Sequence, residues 1–334
     1  MIISSAPTRI DLAGGTLDIW PLYLFFDNPP TLNAAINLYA RVELQPRRDK
    51  KLIVQSRDLG IRARFSSLDR LPEKHPLILI LKLLRFYRPQ TGLELVTDCQ
   101  APAGSGIGGS SALNIALNGA LNRLTGRGYS RAQMIEIAKN IETQVIQVPA
   151  GNQDYYAAMY GGVQAVQPGP LKIESKKIKL DLADWTSRFV LCFTGKPRQS
   201  GINNWAVTKQ ALDENVKVRN NLSKIARIAK TMEQELRHGR FHRFAALFAE
   251  EWQVRKSLAP GIRTAGIDRL IRVARRQGAL AAKVCGAGGG GCVAFYVNPG
   301  QKQRVMSALT QNGGRVLDFK FVARGLRVCQ APSC

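Results

Sequence analysis

Alternation of apolar and polar positions predicts strands over 1–5, 40–44, 52–55 and 61–65, with turns between them. Apolar residues then crowd positions 76–81, and 76–88 reads as a buried helix. Lys82 and Arg85 end the apolar run, far short of the roughly 18–20 residues that a membrane span needs. Residues 93–97 form a further strand by alternation and β-branching. A loop of Gly, Pro, Ala and Ser leads into a small-residue apolar helix over about 110–124, closed by Thr125-Gly126. Met134, Ile137, Ala138 and Ile141 recur at the helical period and predict a helix over 131–145. Beyond it the pattern gives a strand pair around 163–182, an apolar strand at 189–193 and a largely helical run over 203–277. That run breaks at His238-Gly239 and Ala259-Pro260-Gly261; strand-like segments follow at 283–285, 292–297 and 314–322. Strands and helices are mixed rather than strictly alternating, which predicts an α+β fold and not a doubly wound sheet. With 334 residues, two domains are expected, 1–185 and 186–334.

Composition changes this picture little, and charge changes it more. The chain is 45% hydrophobic and 22% charged, which excludes a disordered, collagenous or coiled-coil protein. No export signal is visible at the start, so a cytoplasmic protein is expected. Six scattered cysteines with no CxxC pair are not a disulfide framework. His238 and His242 would share a face if 233–252 were one helix, but no HExxH pattern accompanies them. Lys and Arg outnumber Asp and Glu by 48 to 24, a net charge of +24. Such basicity raises nucleic-acid binding as a hypothesis. The positive residues are dispersed, however, and are not interleaved with aromatic stacking platforms, which favours general basicity or attraction of a small anionic substrate.

The chemistry lies in three glycine-bearing segments. In Pro102-Ala103-Gly104-Ser105-Gly106-Ile107-Gly108-Gly109-Ser110-Ser111-Ala112, the glycines let the backbone curl its N–H groups around an anion. The helix that follows adds unpaired amides and its positive dipole end. A Walker A loop is rejected, because Ser110 and Ser111 stand where Lys and Ser/Thr are needed. The GxGxxG formed by Gly104, Gly106 and Gly109 also lacks dinucleotide context, since no strand ending in an acid follows about 20 residues on. The second segment is Gly286-Ala287-Gly288-Gly289-Gly290-Gly291 between two strands, where another backbone or a ligand must approach closely. The third is Ala6-Pro7-Thr8-Arg9, continuing to Gly14-Gly15-Thr16-Leu17-Asp18.

All three, in this order, resemble the motifs of the GHMP kinase superfamily, named for galactokinase, homoserine kinase, mevalonate kinase and phosphomevalonate kinase. The resemblance covers essentially the whole chain. Within the superfamily, Ala13-Gly14-Gly15, Gly151-Asn152-Gln153-Asp154-Tyr155-Tyr156-Ala157-Ala158, Phe193 to Arg198 and Ala282 to Gly288 are most similar to sugar-1-kinases of the heptose 7-phosphate kinase type. Two positions depart from the pattern. Those kinases usually read Gly-Gly-Gly-Thr-Asp where this chain has Gly14-Gly15-Thr16-Leu17-Asp18, and serine usually stands at Gly109.

The resemblance implies a two-domain fold with the active site in the cleft and a second domain that is ferredoxin-like. It implies phosphoryl transfer from ATP, with Mg2+, to a hydroxyl of a sugar or sugar phosphate, the anomeric one by likeness to the sugar-1-kinases. Asp154 matches the catalytic aspartate, and Arg9 would lie beside it. The phosphates would lie on Pro102, Gly104, Ser105, Gly106, Ile107, Gly108, Gly109, Ser110 and Ser111, together with Gly288 and Gly289. Glu142 matches the magnesium-binding glutamate; counting along the loop selects Ser110 or Ser111 as its hydroxyl partner, with Ser110 preferred. Asp18, Gly151 and Asn152 would meet the sugar, and Arg198 or Lys196 an anionic substituent. The partner is then a small molecule, neither membrane nor nucleic acid, with a homodimer left open. Two rivals remain: a mevalonate-like or amino-acid-alcohol acceptor on the same fold, and a non-catalytic basic protein that binds nucleic acid.

Overall fold

The computed structural model describes residues 1–197 and 202–330. The chain opens with β1 (Ile2–Ala13), a short helix α1 (Leu22–Phe25) and a long strand β2 (Thr31–Arg47). Next come β3 (Leu52–Ser56), β4 (Ile61–Phe65), α2 (Ile78–Tyr87) and β5 (Gly92–Cys99). Helices α3 (Gly109–Thr125), α4 (Arg131–Ile146) and α5 (Gln153–Tyr160) precede the hairpin of β6 (Val163–Gln167) and β7 (Glu174–Ile178). After α6 (Leu182–Ser187) and β8 (Phe189–Phe193) the chain is helical in α7 (Ile202–Leu212), α8 (Val216–Arg237), α9 (Phe244–Arg255) and α10 (Ala265–Arg276). It ends with β9 (Ala279–Val284), β10 (Cys292–Val297), α11 (Lys302–Gln311), β11 (Arg315–Leu317) and β12 (Arg327–Gln330).

Two sheets result, in the mixed α+β arrangement that the pattern predicts. The larger runs β12-β1-β2-β5-β3-β4, with β6 and β7 continuing from β2; the smaller runs β11-β8-β10-β9. Among the described residues, only β3 and β5 pair in parallel. The expected 185/186 boundary falls inside α6, and the smaller sheet lies wholly beyond it. The last strand nevertheless returns to the first sheet, where β12 pairs with β1 from Ile2↔Gln330 to Ser5↔Arg327.

Helix α3 is the axle of the first half. Its residues from Ser111 to Leu121 are buried nearly all round, with Asn114 and Asn118 hydrogen-bonded inside the core. Close packing requires the small residues: a Cβ on Gly119 would lie 2.8 Å from Val328 Cγ2 of β12. Helix α4 starts at a capping box in which Ser130 and Gln133 satisfy each other's backbone amides.

Several elements differ from the expectation. β2 extends well beyond 40–44, because β1 on one side and β6 on the other pair Asn33 and Ala34, and Gly162 and Val322 bond the backbone of Ala35; pairing outweighs their poor strand propensity. α5 and α11 are helices the pattern left unassigned. In 314–322 only Arg315–Leu317 is a regular strand. α8 ends at Arg237, with Gly239 left-handed at φ +69, so His238 and His242 lie on separate elements. Cys99 and Cys192 are free thiols, whereas Cys329 is disulfide-bonded. Among the described residues, no helix is long and apolar enough to cross a membrane.

Candidate active site

The chain brings the three glycine segments around one cavity of about 380 Å3, lined from both halves of the molecule. β1 carries Arg9 and Asp11 two positions apart, hence on one face of the strand. Arg9 is 2% exposed. Its Nε and Nη2 each lie 2.7 Å from Asp154 Oδ1 on α5, and its Nη1 donates to the Gly106 carbonyl at 2.7 Å. Burial opposes the charge, but Asp154 and Asp11 outweigh it and raise the Arg9 pKa. The other carboxylate oxygen of Asp154 faces Gly108: a Cβ there would lie 3.2 Å from Oδ2, and φ is +77. The left-handed backbone favours glycine at 108, and a Cβ there would crowd the Asp154 carboxylate.

Gly108 is also the N-cap of α3, and no side chain caps that helix. The first-turn amides are thus left to a ligand, at the positive end of the helix. Of the predicted phosphate contacts, Pro102, Gly104, Ser105, Gly106, Gly108, Gly109, Ser110 and Ser111 line the cavity. Ile107 instead buries its side chain in the core and accepts the Arg9 backbone N–H with its carbonyl. Gly288 and Gly289 do not line the cavity; Gly286 and Ala287 do. The Gly289 amide is spent on the Ile262 carbonyl, and the Cys292 amide on that of Ser105 at 2.7 Å. A Cβ on Gly291, which is left-handed, would stand 2.6 Å from the same Ser105 oxygen. The C-terminal glycine run thus lies backbone to backbone against the loop at 104–106.

Glu142 of α4 gathers hydroxyls. Ser110 Oγ donates to Oε1, while Ser111 Oγ and Tyr155 Oη donate to Oε2 at 3.0 and 2.8 Å. Burial pushes its carboxyl up despite these bonds. A buried carboxylate surrounded by oxygen donors, with no cation bonded to it among the described residues, has the chemistry of a hard divalent cation site. Both candidate serines reach Glu142, Ser110 being exposed and Ser111 buried.

Asp18 lies at the other end. The first amide of α5, from Gln153, donates to Asp18 Oδ2 at 2.8 Å, and Asn152 Nδ2 donates to the Asp18 carbonyl. A Cβ on Gly151 would be 2.7 Å from Oδ2. Asp18 and Gly151 line the cavity, whereas Asn152 holds Asp18 from behind. Burial, then the nearby Asp154 and Asp11, push the Asp18 carboxyl up to about 6. A carboxyl raised from 3.8 stabilises the fold below about pH 4, and that contribution, about 3 kcal/mol, is lost as pH rises through 6. Asp18→Asn is therefore expected to match the parent near pH 4 and to exceed it in denaturant midpoint at pH 8; equal midpoints at both would contradict this. Lys196 is exposed, and Arg198 lies outside the described residues.

Sequence reasoning missed a buried ionic group behind the site. Lys283 Nζ of β9 lies 2.8 Å from Asp11 Oδ2 and 3.6 Å from Glu251 Oε2, all three with side chains at 0% exposure. Glu251 in turn pairs with Arg255 at 2.5 Å. The signals were present: a lone lysine in the apolar run 279–284, and an acid and arginine four apart on α9.

Residues 76–162 match the GHMP kinases N terminal domain and residues 232–315 the GHMP kinases C terminal domain. The chain is 27% identical to D-glycero-alpha-D-manno-heptose 7-phosphate kinase of Campylobacter jejuni, with 98% of each covered. It is 23% identical to mevalonate kinase of Pyrococcus furiosus, again over 98% of each. The crystal structure of a D-glycero-D-manno-heptose 1-phosphate kinase from Bacteroides thetaiotaomicron superposes with a TM-score of 0.80 at 26% identity, covering 99% of each chain. Two matched domains, full-length likeness and a cavity built from the three glycine segments together make the chain a member of the GHMP kinase family.

Proposed function

We propose that this kinase transfers the γ-phosphoryl group of ATP to a hydroxyl, by likeness the anomeric one, of a sugar or sugar phosphate of the heptose 7-phosphate kind. The observation that supports it is the carboxylate of Asp154, held at one oxygen by Arg9 and open to the cavity between the phosphate loop and Asp18. In this reading, residues 1–185 carry the loop and the base, and 186–334 close the cleft. The amides of 104–109 and the start of α3 hold the phosphates. Ser110 and Glu142 would hold Mg2+, which when bound neutralises phosphate charge. Asp154 orients the acceptor hydroxyl and takes its proton, and Arg9 fixes that carboxylate and offsets charge on the transferring group. Asp18 accepts hydrogen bonds from further hydroxyls, while Lys196 or Arg198 meets an anionic substituent at the mouth.

A mevalonate-like acceptor is the second reading, favoured by the likeness to mevalonate kinase of Pyrococcus furiosus. Charge speaks for the sugar. Among the described residues, both cations that line the cavity, Arg9 and Arg255, are already bonded to carboxylates. The inner end therefore suits hydroxyls more than a carboxylate. ADP-coupled turnover with ATP and magnesium across heptose 7-phosphate, mannose, galactose, fucose, glucuronate and mevalonate tests this. Turnover of a sugar is expected. Turnover of mevalonate alone would establish the second reading, and silence across the panel with ATP bound would overturn both.

A further inference from the structure

We propose that Arg255 is a positioning residue: braced by Glu251, its guanidinium clamps the Gly14-Gly15-Thr16 turn and thereby places Asp18 at the acceptor end of the cavity. The role of that end rests on the acceptor reading given above. Arg255 closes α9 and is 1% exposed. Its Nε donates to both oxygens of Glu251, one helical turn earlier, at 2.9 and 3.2 Å. This brace aims the fork at the turn, where Nη2 donates to the Gly15 carbonyl at 2.7 Å and Nη1 to Thr16 Oγ1 at 3.2 Å.

The turn needs holding. Thr16 has φ +78, the left-handed region that a β-branched side chain enters only where its surroundings over-determine it. On its far side Thr16 Oγ1 donates to Asn204 Oδ1 at 3.0 Å, which joins the turn to α7. Gly15 is backed by Asp11, since a Cβ there would lie 2.5 Å from Asp11 Oδ2. The turn is thus pinned between the Asp11 face of β1 and the Arg255 fork. Leu17 N–H to Gly14 and Ile19 N–H to Thr16 continue it tightly to Asp18, whose carboxylate meets α5 one residue before Asp154. A shift of Thr16 is therefore a shift of Asp18 relative to the base. A lysine at 255 would bring one point charge and could not bridge Glu251, Gly15 and Thr16 at once.

The decisive variant is Glu251→Leu with Arg255→Met, which removes the pair without stranding a buried charge, since Lys283 keeps Asp11. With whichever sugar the parent turns over, the acceptor KM is expected to rise by about tenfold or more while the KM for ATP stays within about twofold. Backbone amide exchange should quicken over 14–19 and stay unchanged over 104–109, with the thermal midpoint maintained. A folded double variant with parental acceptor KM and parental exchange over 14–19 overturns the proposal. If the parent turns over no sugar, the acceptor reading has failed, and the exchange measurement alone decides on the clamp. If the double variant does not fold, Arg255→Lys in the same assays decides, with the same two outcomes.

Discussion

Asp154→Asn is expected to lower kcat by about 10^3-fold or more while ATP binds within about twofold of the parent. The asparagine keeps the size of the side chain and an acceptor for Arg9, so the α5 terminus and the loop around Gly106 keep their places. What disappears is the carboxylate that contacts Arg9 and faces Gly108 at the loop mouth. The proposed ATP-binding groups, the amides of 104–109, Ser110 and Glu142, keep their own charges when Asp154 becomes asparagine. Single-turnover kinetics with a titration of ATP binding separates the two quantities. A kcat within threefold of the parent, about 0.7 kcal/mol of transition-state stabilisation, would remove Asp154 from the chemistry.

Lys283→Met is expected to cost about 3–5 kcal/mol of folding stability. The methionine fills a similar volume in β9, but Asp11 and Glu251 lose the cation they share, at 2.8 and 3.6 Å, in a region with no exposed surface. Burial alone would raise the Asp11 carboxyl; Lys283 first, then Arg255 and Arg9, bring it below the ordinary value. Without Lys283 that balance tilts toward a buried, under-compensated anion two residues from Arg9. Denaturant unfolding gives the loss directly, and a change below about 1 kcal/mol would show that Asp11 and Glu251 find other compensation.

The sequence was most legible where local rules and motif spacing coincide. Met134, Ile137, Ala138 and Ile141 announce α4 by their spacing, the small apolar residues announce α3, and the glycines before it announce an anion cradle; each is a short-range pattern. Asp154, Arg9, Glu142 and Asp18 were named from motif position, and their convergence on one cavity is a property of the fold. What escaped was tertiary. α5 is eight residues long and too short to display a period, yet its first amide is what holds Asp18. Gly288 and Gly289 match the motif's glycines, while left-handed turns lay the backbone of that run against Ile262 and Ser105. The Asp11, Lys283, Glu251 and Arg255 group draws on three elements, β1, α9 and β9, whose members Asp11 and Lys283 lie 272 positions apart. No local window contains it, although each member alone breaks the apolar pattern around it.

The return of β12 to β1 dictates the order of assembly. Residues 2–5 leave the ribosome long before 327–330, so the edge of β1 that β12 covers stays unpaired over the interval between them. At about 5–20 residues per second that interval is tens of seconds. Gly119 of α3 keeps its groove open for Val328 over the same interval. The sheet of the N-terminal half is therefore completed only when the second half has been made, and closing so long a loop makes that pairing a late step of folding.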